Sequence, residues 1–201
     1  MKKVALLHLR LVRDGGLERR LLNYIDYFSK NGYHVTVFAV KKDPALELPE
    51  NVAYADAGIR SIPKFFRPFF FAKRSRKLFS KKDFDISLSL GRTLNQTAII
   101  DGGNHYGYMR CMGKKIKSLK DYISLYLDRN AFQKSDILFA GSKFVKEFNI
   151  KGYKISEEKI KILYPPINIT QFNQNNRKHR EKYREEFKID EPKTTFLFVS
   201  T

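Results

Sequence analysis

Apolar positions follow two rhythms along the 201 residues. Short continuous apolar or β-branched runs recur at Val4-Ala5-Leu6-Leu7, His34 to Val40, Val52 to Ala55, Asp85 to Leu90, Gln96 to Ile100, Asp136 to Ala140, Lys159 to Leu163 and Thr194 to Val199. Runs of that length and composition predict strands. Between them the period changes. Leu17, Leu21, Ile25 and Phe28, with Leu22 beside them, form a helical stripe that Gly32 stops. Leu119, Ile123, Leu127 and Phe132 predict a second helix over 119–134, and Ser142 is a good N-cap for a third, running through Asn149. The polar stretch Lys41 to Asn51, with two prolines, reads as a loop.

Strands alternating with helices predict βαβ crossovers and an α/β fold: a Rossmann-like, mostly parallel sheet flanked by helices. Ligands on such sheets bind beyond the carboxyl ends of the strands. Three polar turns follow strand ends and are expected on that rim: Gly15-Gly16, Gly91-Arg92 and Asp101-Gly102-Gly103. The first leads from strand to helix, so it points the free N–H groups of a helix start at the rim, where an anion is the favoured occupant. It is neither a G-x-G-x-x-G fingerprint nor a Walker loop.

The pattern changes after Pro165-Pro166. Asn168 to Arg180 is rich in Asn and Gln and reads as a linker, and Lys178 to Phe187 reads as a charged helix. The buried-type strand at 194–199 is expected to open a second domain. The expected division is therefore a domain over 1–167 and, over 168–201, a linker with the truncated start of another domain. Cys111 is the single cysteine and has no Cys or His at metal-ligand spacing, so neither a disulfide nor a metal site is expected, and a reducing compartment is the default. The opening apolar run is too short for a signal-peptide core, and no run approaches the length of a membrane span.

Charge adds a partner. Lys and Arg number 39 against 21 Asp and Glu, a net +18. The excess is clustered: residues 60–82 hold nine basic and no acidic residues, with six phenylalanines interleaved. Lys64, Arg67, Lys73, Arg74, Arg76 and Lys77 among such rings suit an anionic membrane surface, where each contributes about 1 kcal/mol. Some rings are expected inside and some at the surface. Basic residues with aromatics also suit single-stranded nucleic acid, but no RRM, KH or zinc pattern is present, so nucleic acid is not the expected partner.

Gly15-Gly16-Leu17-Glu18-Arg19, followed by Asn31-Gly32-Tyr33-His34-Val35-Thr36-Val37, resembles the opening of family 4 retaining glycosyltransferases of the GT-B fold. Ala140-Gly141-Ser142-Lys143-Phe144 and the run from Ile155 through Pro165-Pro166-Ile167-Asn168 look like that family's approach to its interdomain hinge, and Tyr183 to Phe187 with Phe196 to Ser200 is similar to the start of its donor domain. Asp101-Gly102-Gly103-Asn104-His105-Tyr106-Gly107-Tyr108 most resembles a bacterial branch building lipopolysaccharide core or related glycans. The resemblance implies the acceptor-side half of a glycosyltransferase, a nucleotide-sugar donor, a glycan or lipid-linked acceptor, no cofactor, and a cytoplasmic protein peripheral on the inner face of the membrane. It implies donor or phosphate contacts at Gly15, Gly16, Arg19 and Arg92, and a catalytic polar group that is either Asp101 or His105. Two other classes remain: a basic nucleic-acid-binding α/β protein and a non-catalytic sugar-phosphate binding module.

The basic patch gives a direct test. Replacing Lys73, Arg74, Arg76 and Lys77 together by Ser should release the protein from anionic vesicles in a co-sedimentation assay; unchanged sedimentation rules the patch out.

Overall fold

The computed structural model describes residues 2–167, 169–170 and 173–190. The chain divides into two compact units, Met1–Pro165 and Pro166–Thr201. In the first, strands β1 (Lys3–Leu7), β2 (Arg10–Leu11), β3 (His34–Ala39), β4 (Lys41–Lys42), β5 (Val52–Asp56), β6 (Ile86–Ser89), β7 (Ala98–Asp101), β8 (Ile137–Ala140) and β9 (Ile160–Ile162) alternate with helices α1 (Gly16–Lys30), α2 (Arg67–Leu78), α3 (His105–Cys111), α4 (Leu119–Lys134) and α5 (Lys143–Tyr153). The described part of the second unit holds a 3₁₀ turn over Gln174–His179 and helix α6 (Arg180–Glu186). The 3₁₀ turn lies in the stretch expected to be linker. The strand expected at 194–199 lies outside the described residues.

The main sheet has seven strands in the order β5-β3-β1-β6-β7-β8-β9, and every pairing is parallel. This is the α/β, Rossmann-like arrangement expected from the alternation of periods. Central strands of such a sheet are covered on both faces and read as continuous apolar runs. In β1, Val4, Ala5, Leu6 and Leu7 are all fully buried. Val4 and Leu6 pack with Leu21 and Ile25 of α1 on one face, while Ala5 and Leu7 pack with Phe38 and with Phe71 of α2 on the other. Ile99 of β7 meets Ala131 and Phe132 of α4. Each large side chain so buried contributes about 1.5–3 kcal/mol.

Three elements depart from the sequence reading. The 41–51 loop begins with β4, which pairs with β2 in a separate two-stranded ribbon. In α4 the buried stripe is Ser124, Leu127, Asp128, Ala131 and Phe132, so packing starts a turn inside the helix and leaves Leu119 exposed. Helix α3 has no signal in the apolar pattern. It forms because the Asn104 side chain accepts the Gly107 N–H at 2.8 Å and because its glycine lets it approach α5. That approach is close at two points. A Cβ on Gly107 would fall 2.7 Å from Phe148 Cδ2, and one on Gly152 would fall 2.6 Å from Tyr106 Cγ.

The basic segment is split between core and surface, as its composition implied. Phe71 and Phe79 are buried in the face that α2 covers, and Phe69 packs against Ala72, Leu94 and Leu127. Phe65, Phe66 and Phe70 are exposed, as are Lys64, Lys73, Arg74, Arg76 and Lys77. Arg67 is different. Its guanidinium donates to the Ile62 and Arg60 carbonyls at 2.8 Å each, so it fastens the loop before α2. No described helix is long and apolar enough to cross a membrane.

Gly152→Ala should therefore push α5 off Tyr106 and destabilise the first unit by about 1–3 kcal/mol, read as a lowered melting temperature. Tyr106→Leu in the same chain should recover part of the loss, because the two sites share one contact.

Candidate functional site

In the order β5-β3-β1-β6-β7-β8-β9, the crossovers leave β1 toward one edge, and the chain later returns to β6 and builds toward the other edge. Adjacent strands with diverging connections leave a crevice beyond their carboxyl ends. In this protein the crevice is a cleft of about 650 Å³. His8 and Leu9 after β1 and Leu90, Gly91 and Arg92 after β6 form its floor; Gly16, Leu17 and Arg20 of α1 form one wall, and Asp101, Gly102 and Gly103 after β7 form another. Phe71 and Phe132 add apolar surface. The three turns expected on one rim do converge: Gly16, Gly91-Arg92 and Asp101-Gly102-Gly103 share the cleft.

At the α1 wall Gly15 is the N-cap, with φ +105°. That backbone region is all but closed to residues with a Cβ. A Cβ there would also collide with the Glu18 carboxylate, which folds back over the helix start. Glu18 is buried, yet its carboxyl sits below the usual range. Burial alone would raise it, but its own backbone N–H, the Arg10 guanidinium at 2.5 Å and His8 together outweigh that. The helix start therefore already holds one negative charge. The N–H groups of Gly16 and Leu17, on the cleft wall, stand ahead of the first helical bond, Arg19 N–H to Gly15 C=O.

His8 lies beneath this group. Both ring nitrogens are buried without a well-formed hydrogen bond, although Nε2 comes within 3.4 Å of Glu18 Oε1. Burial pushes the imidazole below its ordinary 6.5, against the pull of Glu18.

Arg92 is placed by its turn and by one carboxylate. The Ser89 hydroxyl donates to the Gly91 carbonyl at 2.7 Å and accepts the Gly91 N–H at 3.1 Å, which closes the turn after β6. Asp128, buried in α4, then takes Arg92 Nε at 2.5 Å. The same carboxylate accepts the His105 N–H at 2.8 Å and the Tyr153 hydroxyl at 2.8 Å. From within α4, Asp128 thus ties the cleft arginine to the start of α3 and the end of α5. Tyr153 stays protonated, its pKa raised first by burial and then by Asp128.

Asp101 is buried at the end of β7. Its oxygens accept the Gly103 N–H at 2.9 Å and the Asn104 and Asn149 amides at 3.0 and 2.9 Å. Burial raises its carboxyl above the usual range, against those three donors. His105 is absent from the cleft lining: its Nε2 lies 2.9 Å from Asp121 Oδ1, within the cap of α4. Asp121 itself is held far below the usual carboxylate range, first by the Ser118 backbone N–H and hydroxyl.

Of the expected residues, Gly16, Arg92 and Asp101 meet in the cleft; Gly15 sits behind it as the cap. Arg19 is exposed and does not line it, and His105 faces Asp121. The arginine of α1 on the wall is Arg20. His8, Arg20 and Asp128 escape the sequence reading. The signal that marks Asp128 is a charged residue inside the buried stripe of α4.

A crevice at the strand-order reversal, walled by a glycine-capped helix start, defines a Rossmann-like domain of the kind that makes up the N-terminal half of a GT-B enzyme. The model of the family Glycosyltransferase Family 4 matches residues 14–171, and the chain belongs to that family. It is 23% identical over 158 residues to a probable transglycosylase of Burkholderia thailandensis, covering 79% of this chain and 43% of that protein. Among solved structures it superposes on WaaG, described as a glycosyltransferase involved in lipopolysaccharide biosynthesis, with a TM-score of 0.72 at 17% identity, covering 94% of this chain and 52% of the other. It also superposes on sucrose-phosphate synthase of Thermosynechococcus elongatus with a TM-score of 0.66 at 14% identity, covering 94% and 53%. The chain spans about half the length of these relatives.

His8 gives this site a pH signature. The unfolded chain binds a proton near pH 6.5, whereas buried His8 binds it only at lower pH, so stability falls as pH drops below about 6.5, by up to about 1.4 kcal/mol per pH unit. In denaturant melts His8→Gln should lack that part of the slope. An equal stability gap between the two proteins at pH 7.0 and pH 5.5 would exclude His8 as the titrating group.

Proposed function

We propose that this chain supplies the acceptor-side half of a glycosyltransferase that moves a sugar from a nucleotide-sugar donor to a glycan or lipid-linked acceptor in bacterial surface polysaccharide or lipopolysaccharide synthesis. The observation that carries the reading is the convergence of the α1 start, Arg92 and the Asp101-Gly102-Gly103 turn on one crevice in a chain of Glycosyltransferase Family 4. The lipopolysaccharide assignment leans on the likeness to WaaG and on the basic, partly aromatic surface of α2.

Glycosyl transfer needs a departing diphosphate neutralised and an acceptor hydroxyl held against the anomeric carbon. In this reading the Gly16 and Leu17 N–H groups meet the donor from below. Arg92, whose Nε and Nη2 are fixed on Asp128, offers its outer edge to developing negative charge. The apolar surface of Phe71 and Phe132 excludes water beside the reacting centre. Asp101, with all three of its bonds directed to the backbone and amides around it, shapes the wall rather than moving a proton. The leaving phosphate takes the acceptor proton, and no dedicated base is required. The opposite wall of the cleft, with most nucleotide contacts, belongs to a donor-binding half. The site faces the cytoplasm, with α2 resting its Phe70, Lys73, Arg74 and Lys77 face on anionic lipid.

The 201-residue chain alone should then show no turnover of nucleotide sugars with a lipopolysaccharide-type acceptor extract, while a chain extended to the length of its relatives should release the nucleoside diphosphate and label the acceptor. Robust turnover by the 201 residues, or none by the extended chain across a donor panel, would overturn the proposal.

A further inference from the structure

Arg20 is the cation that the cleft does not neutralise. It is 6% exposed. Its Nε donates to the Tyr24 hydroxyl at 3.0 Å, and its guanidinium lies 5.7 Å from the centre of that ring. Its Nη2 is buried without any hydrogen-bond partner, and it forms no ion pair among the described residues. The carboxylates nearby are committed elsewhere: Glu18 to Arg10 and its own N–H, Asp128 to Arg92, His105 and Tyr153, and Asp101 to Gly103, Asn104 and Asn149. A buried charge without a partner is expensive, and Arg20 stands near the positive end of α1, which adds to the expense. A guanidinium so placed on the wall of an open cleft is a built receptor for an oxyanion.

We propose that Arg20 binds an acidic group, a phosphate or a carboxylate, carried by the acceptor sugar, so that the cleft selects anionic over neutral acceptors. The inference rests on the acceptor-side reading of the cleft. Arg20 lies a full turn along α1 from Gly16, so the open Gly16 and Leu17 N–H groups and the Arg20 guanidinium are two separate donor points on one wall. An acceptor bearing its charge a few bonds from the attacking hydroxyl would be fixed at Arg20 while the hydroxyl reaches toward the donor at the helix start. Tyr24 holds the planar fork in place, so little side-chain freedom is lost on binding.

The test reads binding, not turnover, and so stands or falls separately from the transfer reaction. The full chain, labelled with nitrogen-15, is titrated at fixed ionic strength with glucose 6-phosphate, glucuronate, glucose and inorganic phosphate. Both anionic sugars should bind at least tenfold more tightly than glucose and should shift the guanidinium N–H resonances of Arg20. Arg20→Met should abolish the preference, Arg20→Lys should keep part of it, and Arg19→Met should leave it intact. Inorganic phosphate matching the sugar phosphate would identify a site for free anion alone and overturn the acceptor assignment. Equal affinity for glucose and its phosphate, or unmoved Arg20 resonances in the unaltered chain, would overturn the proposal whether or not Arg20→Met folds.

Discussion

The main parallel sheet reverses its strand order once, between β1 and β6. Beyond that point no crossover covers the strand ends, so the backbone there must be satisfied and shaped by turns and side chains rather than by regular structure. The chemistry of the cleft follows from this gap. His8 closes β1, the Ser89–Gly91 turn closes β6, and α1 rises beside them with its first N–H groups open.

Two buried carboxylates turn the gap into a defined site. Asp101 knits the end of β7 to α3 and α5 through Asn104 and Asn149. Asp128 reaches the same region from α4 and holds Arg92, the α3 start and Tyr153. Each is met by several donors, which at Asp101 offset only part of the expense of burial, and breaking either set would leave a charge still less compensated. Because α3, α4 and α5 share these two groups, the wall after β7 is one cooperative body, and the tight Gly107 and Gly152 contacts draw its helices together.

The sheet was legible because buried parallel strands write themselves as apolar runs, as Val4 to Leu7 and Ala98 to Ile100 show. Convergence of the three polar turns was legible because each follows a strand end. Helix α3 was not, since a seven-residue helix with a central glycine owes its existence to neighbours distant in sequence, Phe148 and Asn149. Which of two adjacent arginines faces inward depends on the helix's rotation against the sheet, which the sequence does not show: Arg20 lines the cleft and Arg19 is exposed. His105 looked available because its partner, Asp121, lies sixteen positions away on another helix.

Glu18 has a further consequence. The start of α1 lies over the buried imidazole of His8, and its first N–H groups would otherwise present bare dipoles there. The folded-back carboxylate screens them with a charge supplied in cis, and Arg10 clamps that charge from outside. The resident negative charge occupies the third N–H of α1, so for any anion that the proposed donor brought to this wall, only the first two N–H groups would be open.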